Sequence, residues 1–121
     1  MEEYSFEKLL AYQSTRKLVV SVYRLMDKFP SSERYALCDQ LRRAIISVPS
    51  NIAEGSGRVS VKEKIHFLEI AFGSLMESYC QLQIAQNLNY LSSDDINSIK
   101  SQFFDCSRLI SGLKKSFEAK L

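Results

Sequence analysis

Apolar residues recur at steps of three and four through four long stretches of this 121-residue chain, and that period belongs to the α-helix. The first stripe is Ala11, Leu18, Val22, Leu25 and Phe29, which predicts a helix over about residues 6–29. The second reads Leu37, Leu41, Ala44, Ile45, Val48 and Ile52, in a helix expected to start near Ser32. Ile65, Leu68, Phe72, Leu75, Tyr79 and Leu82 make the third. Ile96, Ile99, Phe103, Cys106, Ile110, Leu113 and Phe117 make the fourth. Four glycines and two prolines leave little material for many turns, so few and long elements are expected. Amphipathic helices joined by short connections bury their stripes best as antiparallel neighbours. The expected fold is therefore all-α, an up-down-up-down antiparallel four-helix bundle forming one domain over residues 1–121.

The breaks between stripes carry local signals. Pro30-Ser31-Ser32 ends the first helix and offers an N-cap to the second, with Glu33 in the first turn. Pro49 lies inside the second stripe, where it removes a backbone donor and crowds the carbonyl of Ile45. Because the apolar period continues to Ile52, a kink near residues 45–49 is expected rather than a break. Gly55-Ser56-Gly57 closes that helix, with a glycine available for a left-handed cap. Ser60-Val61-Lys62-Glu63 has capping-box spacing, and Ser92-Ser93-Asp94-Asp95 places acids at the positive end of the fourth helix.

Composition narrows the function classes. With 45% hydrophobic and 25% charged residues, the chain can fill a core and is unlike a disordered segment. Every apolar run is interrupted by polar residues too soon to span a bilayer, and Met1-Glu2-Glu3-Tyr4 lacks the basic start of a signal peptide. A cytoplasmic protein is expected. Cys38, Cys80 and Cys106 are odd in number and have no ligand spacing, which suits reduced, packed thiols. The net charge of +2 is uneven: residues 34–64 carry +3, residues 65–99 carry −4 and residues 100–121 carry +3. Such asymmetry suits a nucleic-acid surface or complementary subunit contacts.

Catalytic patterns are not found. His66 has no partner at metal-ligand spacing, and it stands eight positions from Arg58 across the Ser60 cap, the wrong spacing for an arginine–histidine ribonuclease. A boundary histidine with one hydrogen bond is expected. Gly55 and Gly57 lack the lysine and strand of a phosphate loop, and Ser47, Ser50 and Ser56 have no nucleophile-elbow surroundings. No enzyme, cofactor or metal is expected.

The polar line on the second helix is the distinctive feature. Arg43, Ser47, Asn51 and Glu54 recur at steps of four, four and three, with Arg42 one position round the helix. One reading is structural: a hydrogen-bond network in which Arg43 pairs with Glu54 or Asn51 and holds helices or subunits in register. The other is anion recognition by Arg42, Arg43, Arg58 and Lys62, aided by the free N–H groups of the third helix. The residues alone leave both open, and the two are compatible. Aromatics off the main stripes, among them Tyr12, Tyr23, Tyr35, Phe67 and Phe104, suit a second interface and hence a homo-oligomer.

Arg42-Arg43-Ala44 with Ser47-Val48-Pro49-Ser50-Asn51-Ile52-Ala53-Glu54-Gly55 resembles the signature of the 23S rRNA intervening-sequence proteins, a bacterial four-helix-bundle family. The resemblance continues in Phe6-Glu7-Lys8-Leu9 with Tyr12-Gln13, in the run from Phe67 to Glu77, and in Leu88-Asn89-Tyr90-Leu91, where Asn89 replaces an expected glycine. It implies a homopentameric ring. The similar accessory protein of diversity-generating retroelements is a basic pentamer that binds nucleic acid and a reverse transcriptase, so RNA or DNA binding is implied by analogy. The leading expectation is a non-enzymatic homo-oligomeric bundle that binds RNA or DNA through phosphates at Arg42, Arg43, Arg58, Lys62 and Lys64. Ser47, Asn51, Glu54 and Gly55 would support those contacts. The alternative is a protein-interaction scaffold whose arginine-to-glycine signature forms a subunit interface.

Overall fold

The structure is a computed structural model that describes residues 2–121. Four helices carry the fold: α1 (Leu10–Met26), α2 (Leu37–Ser56), α3 (Val61–Asn87) and α4 (Ser93–Glu118). Single 3-10 turns at Ser5–Lys8 and Ser31–Glu33 precede α1 and α2, and the described residues form no strand. Each helix packs on its two neighbours in the order α1, α2, α3, α4 and back to α1, so that α1 and α3 stand diagonally opposite. Side-chain contacts pair rising residue numbers on α3 with falling numbers on both neighbours. Lys64 meets Ser56 and Ser74 meets Ser47 on α2, while Glu69 meets Lys114 and Tyr79 meets Phe103 on α4.

The four stripes converge on one core. Leu18, Val22, Leu41, Ile45, Val48, Ile52, Leu75, Leu82, Ile99 and Ile110 are fully buried within it. Burial of this apolar surface is the main drive for association of the helices. Thr15 sits in the same interior and turns its hydroxyl back onto the Ala11 carbonyl at 2.8 Å, which satisfies the polar group locally.

Three boundary expectations are corrected. The first helix begins at Leu10, not near Phe6, because Leu9 is extended and separates it from the 3-10 turn. The second begins at Leu37, and neither Ser31 nor Ser32 caps it. Glu33 acts there instead: one carboxylate oxygen accepts the Leu37 N–H at 3.4 Å and the other accepts the Tyr90 hydroxyl at 2.6 Å. That link to a distant loop outweighs the local serine preference. Gly57 has a φ of −83°, so α2 closes without a left-handed residue. The Gly57 and Arg58 N–H groups return to Glu54 and Gly55, and the Lys64 ammonium caps the Ser56 carbonyl at 2.9 Å. The helix itself runs unbroken through Pro49.

The left-handed residue lies at the other end, after α3. Asn89 has a φ of +64°, and Tyr90 and Asn89 donate back to Ala85 and Gln86 in a Schellman closure. Asparagine tolerates this region better than other non-glycine residues, which explains why it can stand where glycine was expected. The α4 start is a full capping box: Ser92 accepts the Asp95 N–H and Asp95 accepts the Ser92 N–H. At Ser60 only the serine half forms, accepting the Glu63 N–H at 3.2 Å.

Gly55 has a packing reason. A Cβ at Gly55 would lie 2.7 Å from the Phe67 Cβ of α3, closer than carbon atoms approach. Gly112, inside α4, has open space around the same position. Gly55→Ala should therefore destabilise the fold by about 1–3 kcal/mol through overpacking. Gly112→Ala should stabilise it by about 0.5–1 kcal/mol through helix propensity. Urea unfolding of the two variants checks the opposite signs. A pH effect is centred on Asp95, whose carboxyl is held below its ordinary value of 3.8, first by Lys28 and then by the cap hydrogen bonds. A depressed folded-state pKa stabilises above the unfolded value and is lost as pH falls through the folded one. Asp95→Asn should thus lower the Tm at pH 7 and shrink the Tm loss between pH 4 and strong acid, read from thermal melts across that range.

Candidate nucleic-acid interface

The polar line of α2 divides. A four-residue step advances about 400°, so the line drifts by about 40° per step around the helix. It starts on the solvent side at Arg43, whose side chain is 81% exposed, and reaches the α3 seam at Ser47 and Asn51. There the Ser47 and Ser74 hydroxyls lie 2.9 Å apart, and the Asn51 amide donates to the Ser47 hydroxyl and carbonyl, each at 2.8 Å. Ser78 turns its hydroxyl onto the Ser74 carbonyl, and Ala71 fills the space beside it with no exposed surface. Small residues on both helices let the backbones approach closely, which makes this the most extensive helix pair in the bundle.

Arg43 does not join that network. It pairs with Asp39 at 3.3 Å, one turn back. Glu54 is eleven residues on, about 16 Å along the helix axis, and beyond its reach. Glu54 pairs instead with Arg58 at 2.9 Å. Pairing of Arg43 with Glu54 or Asn51 is corrected accordingly.

The five basic residues fall into two groups. Arg42 and Arg43 lie in the first half of α2, while Arg58, Lys62 and Lys64 surround the α2–α3 turn. From Arg43 to the end of α2 at Ser56 the axis rises by about 20 Å, so the groups do not form one contiguous cluster. Their commitments also differ. The Arg42 guanidinium donates to the Arg34 carbonyl at 3.2 Å. Arg58 stacks over the Phe67 ring at 4.7 Å while paired with Glu54. Lys64 is half-buried against Ser56 and the Phe117 ring. Arg43, Arg58 and Lys62 are exposed, and Lys62 makes no ion pair among the described residues.

Sequence spacing missed one neighbour. Lys120 lies over the same Phe117 ring as Lys64, at 5.4 Å, so the end of α4 brings a further cation to the α2–α3 turn. The signal was present in the basic last quarter of the chain, but only the fold shows where that quarter ends.

The remaining reactive groups are quiet. Cys38 and Cys106 are buried and unpaired, and burial raises both thiols, Cys106 to about 11. Cys80 is exposed, which corrects the expectation that all three are packed. His66 is exposed, edge-on to Phe67, and not at the core boundary. No group of three or more His, Cys, Asp or Glu gathers at metal-binding distance among the described residues. No described helix is long and apolar enough to cross a membrane.

No curated protein matches the chain. A solved structure from Bacteroides thetaiotaomicron, described as a protein with unknown function from the S23 ribosomal protein family, has the same fold. It superposes with a TM-score of 0.79 at 19% identity, covering 88% of this chain and 96% of that one. The sequence pattern of the 23S rRNA-intervening sequence proteins matches residues 7–112. With that match covering α1 to α3, most of α4 and the α2 signature, the chain belongs to the 23S rRNA-intervening sequence protein family.

Proposed function

We propose that this protein is a non-enzymatic, cytoplasmic homo-oligomer that binds RNA or DNA through phosphate contacts. The observation that carries the reading is the outward display of cations by an element whose inner side is already occupied. Ser47, Asn51 and Gly55 serve the seam with α3, whereas Arg43 is largely exposed and Lys62 stands free at the start of α3. Arg42 and Arg58 flank them, and Lys64 and Lys120 both lie against the Phe117 ring near the turn. The first-turn N–H groups of α3 add positive potential at the same end of the bundle. Homopentamer formation and the role in an rRNA setting rest on the family resemblance.

The competing reading is a protein-interaction scaffold. It draws support from the apolar residues on the outer face of α3, including Ile70, Met76 and Ile84. The signature is less suited to a subunit interface, because its polar members are engaged within one chain.

Binding through phosphates releases counterions, so affinity should fall steeply with salt and show little sequence preference. Fluorescence anisotropy with a labelled RNA and its DNA equivalent, at several salt concentrations, measures both. Replacing Arg43 and Lys62 by alanine should flatten the log–log salt slope by about 1 for each lost contact while leaving the Tm almost unchanged. Absent or salt-insensitive binding by the wild-type protein at low ionic strength contradicts the proposal.

A further inference from the structure

We propose that Tyr35 stacks on an unpaired base of the bound nucleic acid, so that the basic surface at the start of α2 takes a single-stranded segment. This rests on the phosphate-contact reading above and adds the class of strand and the residue that selects it. Residues 34–36 form a turn between the 3-10 turn at Ser31–Glu33 and α2. Tyr35 stands out from that turn 85% exposed, and its ring packs on no other aromatic among the described residues. The Arg34 guanidinium lies 5.5 Å from the ring centroid. So exposed a ring keeps a face open to solvent, and burial within the chain gives no reason for an aromatic residue here. A nucleobase supplies one, because every base has a π-face to offer. Within a duplex those faces are covered by neighbouring bases, so the ring finds a place only where the strand is unpaired.

The cations around Tyr35 suit the backbone of the same strand. The Arg42 guanidinium donates to the Arg34 carbonyl at 3.2 Å, which ties the first basic group of α2 to the turn that carries Tyr35. Arg43 follows with its side chain 81% exposed, and Arg34 makes no ion pair among the described residues. The acids of this segment are engaged: Glu33 by the Leu37 N–H and the Tyr90 hydroxyl, Asp39 by Arg43. A cation over a ring recurs at the α2–α3 turn, with Arg58 on Phe67 and with Lys64 and Lys120 on Phe117. Those two rings are half-buried, whereas Tyr35 is open. Cations that follow the backbone beside an open aromatic ring are the means by which single strands are held without sequence preference.

Fluorescence anisotropy on the full-length protein tests this with a labelled single-stranded RNA, the single-stranded DNA of the same sequence and the corresponding DNA duplex. Tyr35→Ala should weaken binding of both single strands about tenfold and leave duplex binding unchanged. The log–log salt slope should stay as in the wild type, since no phosphate contact is lost. Tyr35→Phe keeps the ring and should restore the affinity lost in Tyr35→Ala. An equal Tm for the wild type and Tyr35→Ala, expected for so exposed a side chain, ties the loss to the ring and not to the fold. If Tyr35→Ala binds the single strands as tightly as the wild type, or loses as much affinity for the duplex, the inference fails while the phosphate-contact reading stands. If it keeps its affinity but changes mass in sedimentation velocity, the ring serves a contact between proteins and the inference fails. A wild-type protein that binds none of the three probes at low ionic strength overturns both.

Discussion

The close approach of α2 to α3 is the constraint on which the rest of the molecule depends. At one end Gly55 lets the backbone rest on the Phe67 Cβ, and further along the Ser47 and Ser74 hydroxyls meet across the seam. Neither contact survives a slide of one helix past the other, so together they set the register of the pair. That register places Lys64 on the last carbonyl of α2, that of Ser56, and brings the Phe67 ring beneath Arg58. The basic turn is thus positioned by apolar and small polar residues that are buried or half-buried at the seam. Hydroxyls and an amide at a helix seam also limit the register more sharply than apolar side chains would, since a shifted pairing leaves them unsatisfied.

A second set of contacts fastens the opposite end. Glu33 accepts from both the Leu37 backbone and the Tyr90 hydroxyl, and Tyr90 packs on Phe29. Lys28 reaches Asp95 inside the α4 capping box. The two loops at this end are therefore held to one another by charge-assisted hydrogen bonds, while the core stripes between the ends supply most of the burial.

The helices and their inward faces were legible in the sequence because periodicity reports burial directly. Leu18, Leu41, Leu75 and Ile110 are inside for the reason their spacing suggests. What escaped depends on partners remote in the chain. Ser31 and Ser32 have a favourable local cap sequence, yet Glu33 starts α2 through a contact with a residue 57 positions away. Gly55 looked like a helix terminator, whereas its need for glycine comes from Phe67. Arg43 and Glu54 share a face by step counting, but helical rise puts them too far apart to meet. For the candidate site, the five basic positions were readable, while their division into two groups and the arrival of Lys120 required the fold.

Seen this way, the family signature joins two tasks on one helix: an inner edge that locks α2 to α3, and an outer edge that displays arginine. Ser47 and Asn51 of the signature act within the chain, at the α2–α3 seam. A double-mutant cycle with Ser47→Ala and Ser74→Ala, followed by urea unfolding, tests this most directly. A shared hydrogen bond predicts a coupling energy of about 0.5–1.5 kcal/mol between the two positions. Strictly additive effects, with no coupling, would contradict the account.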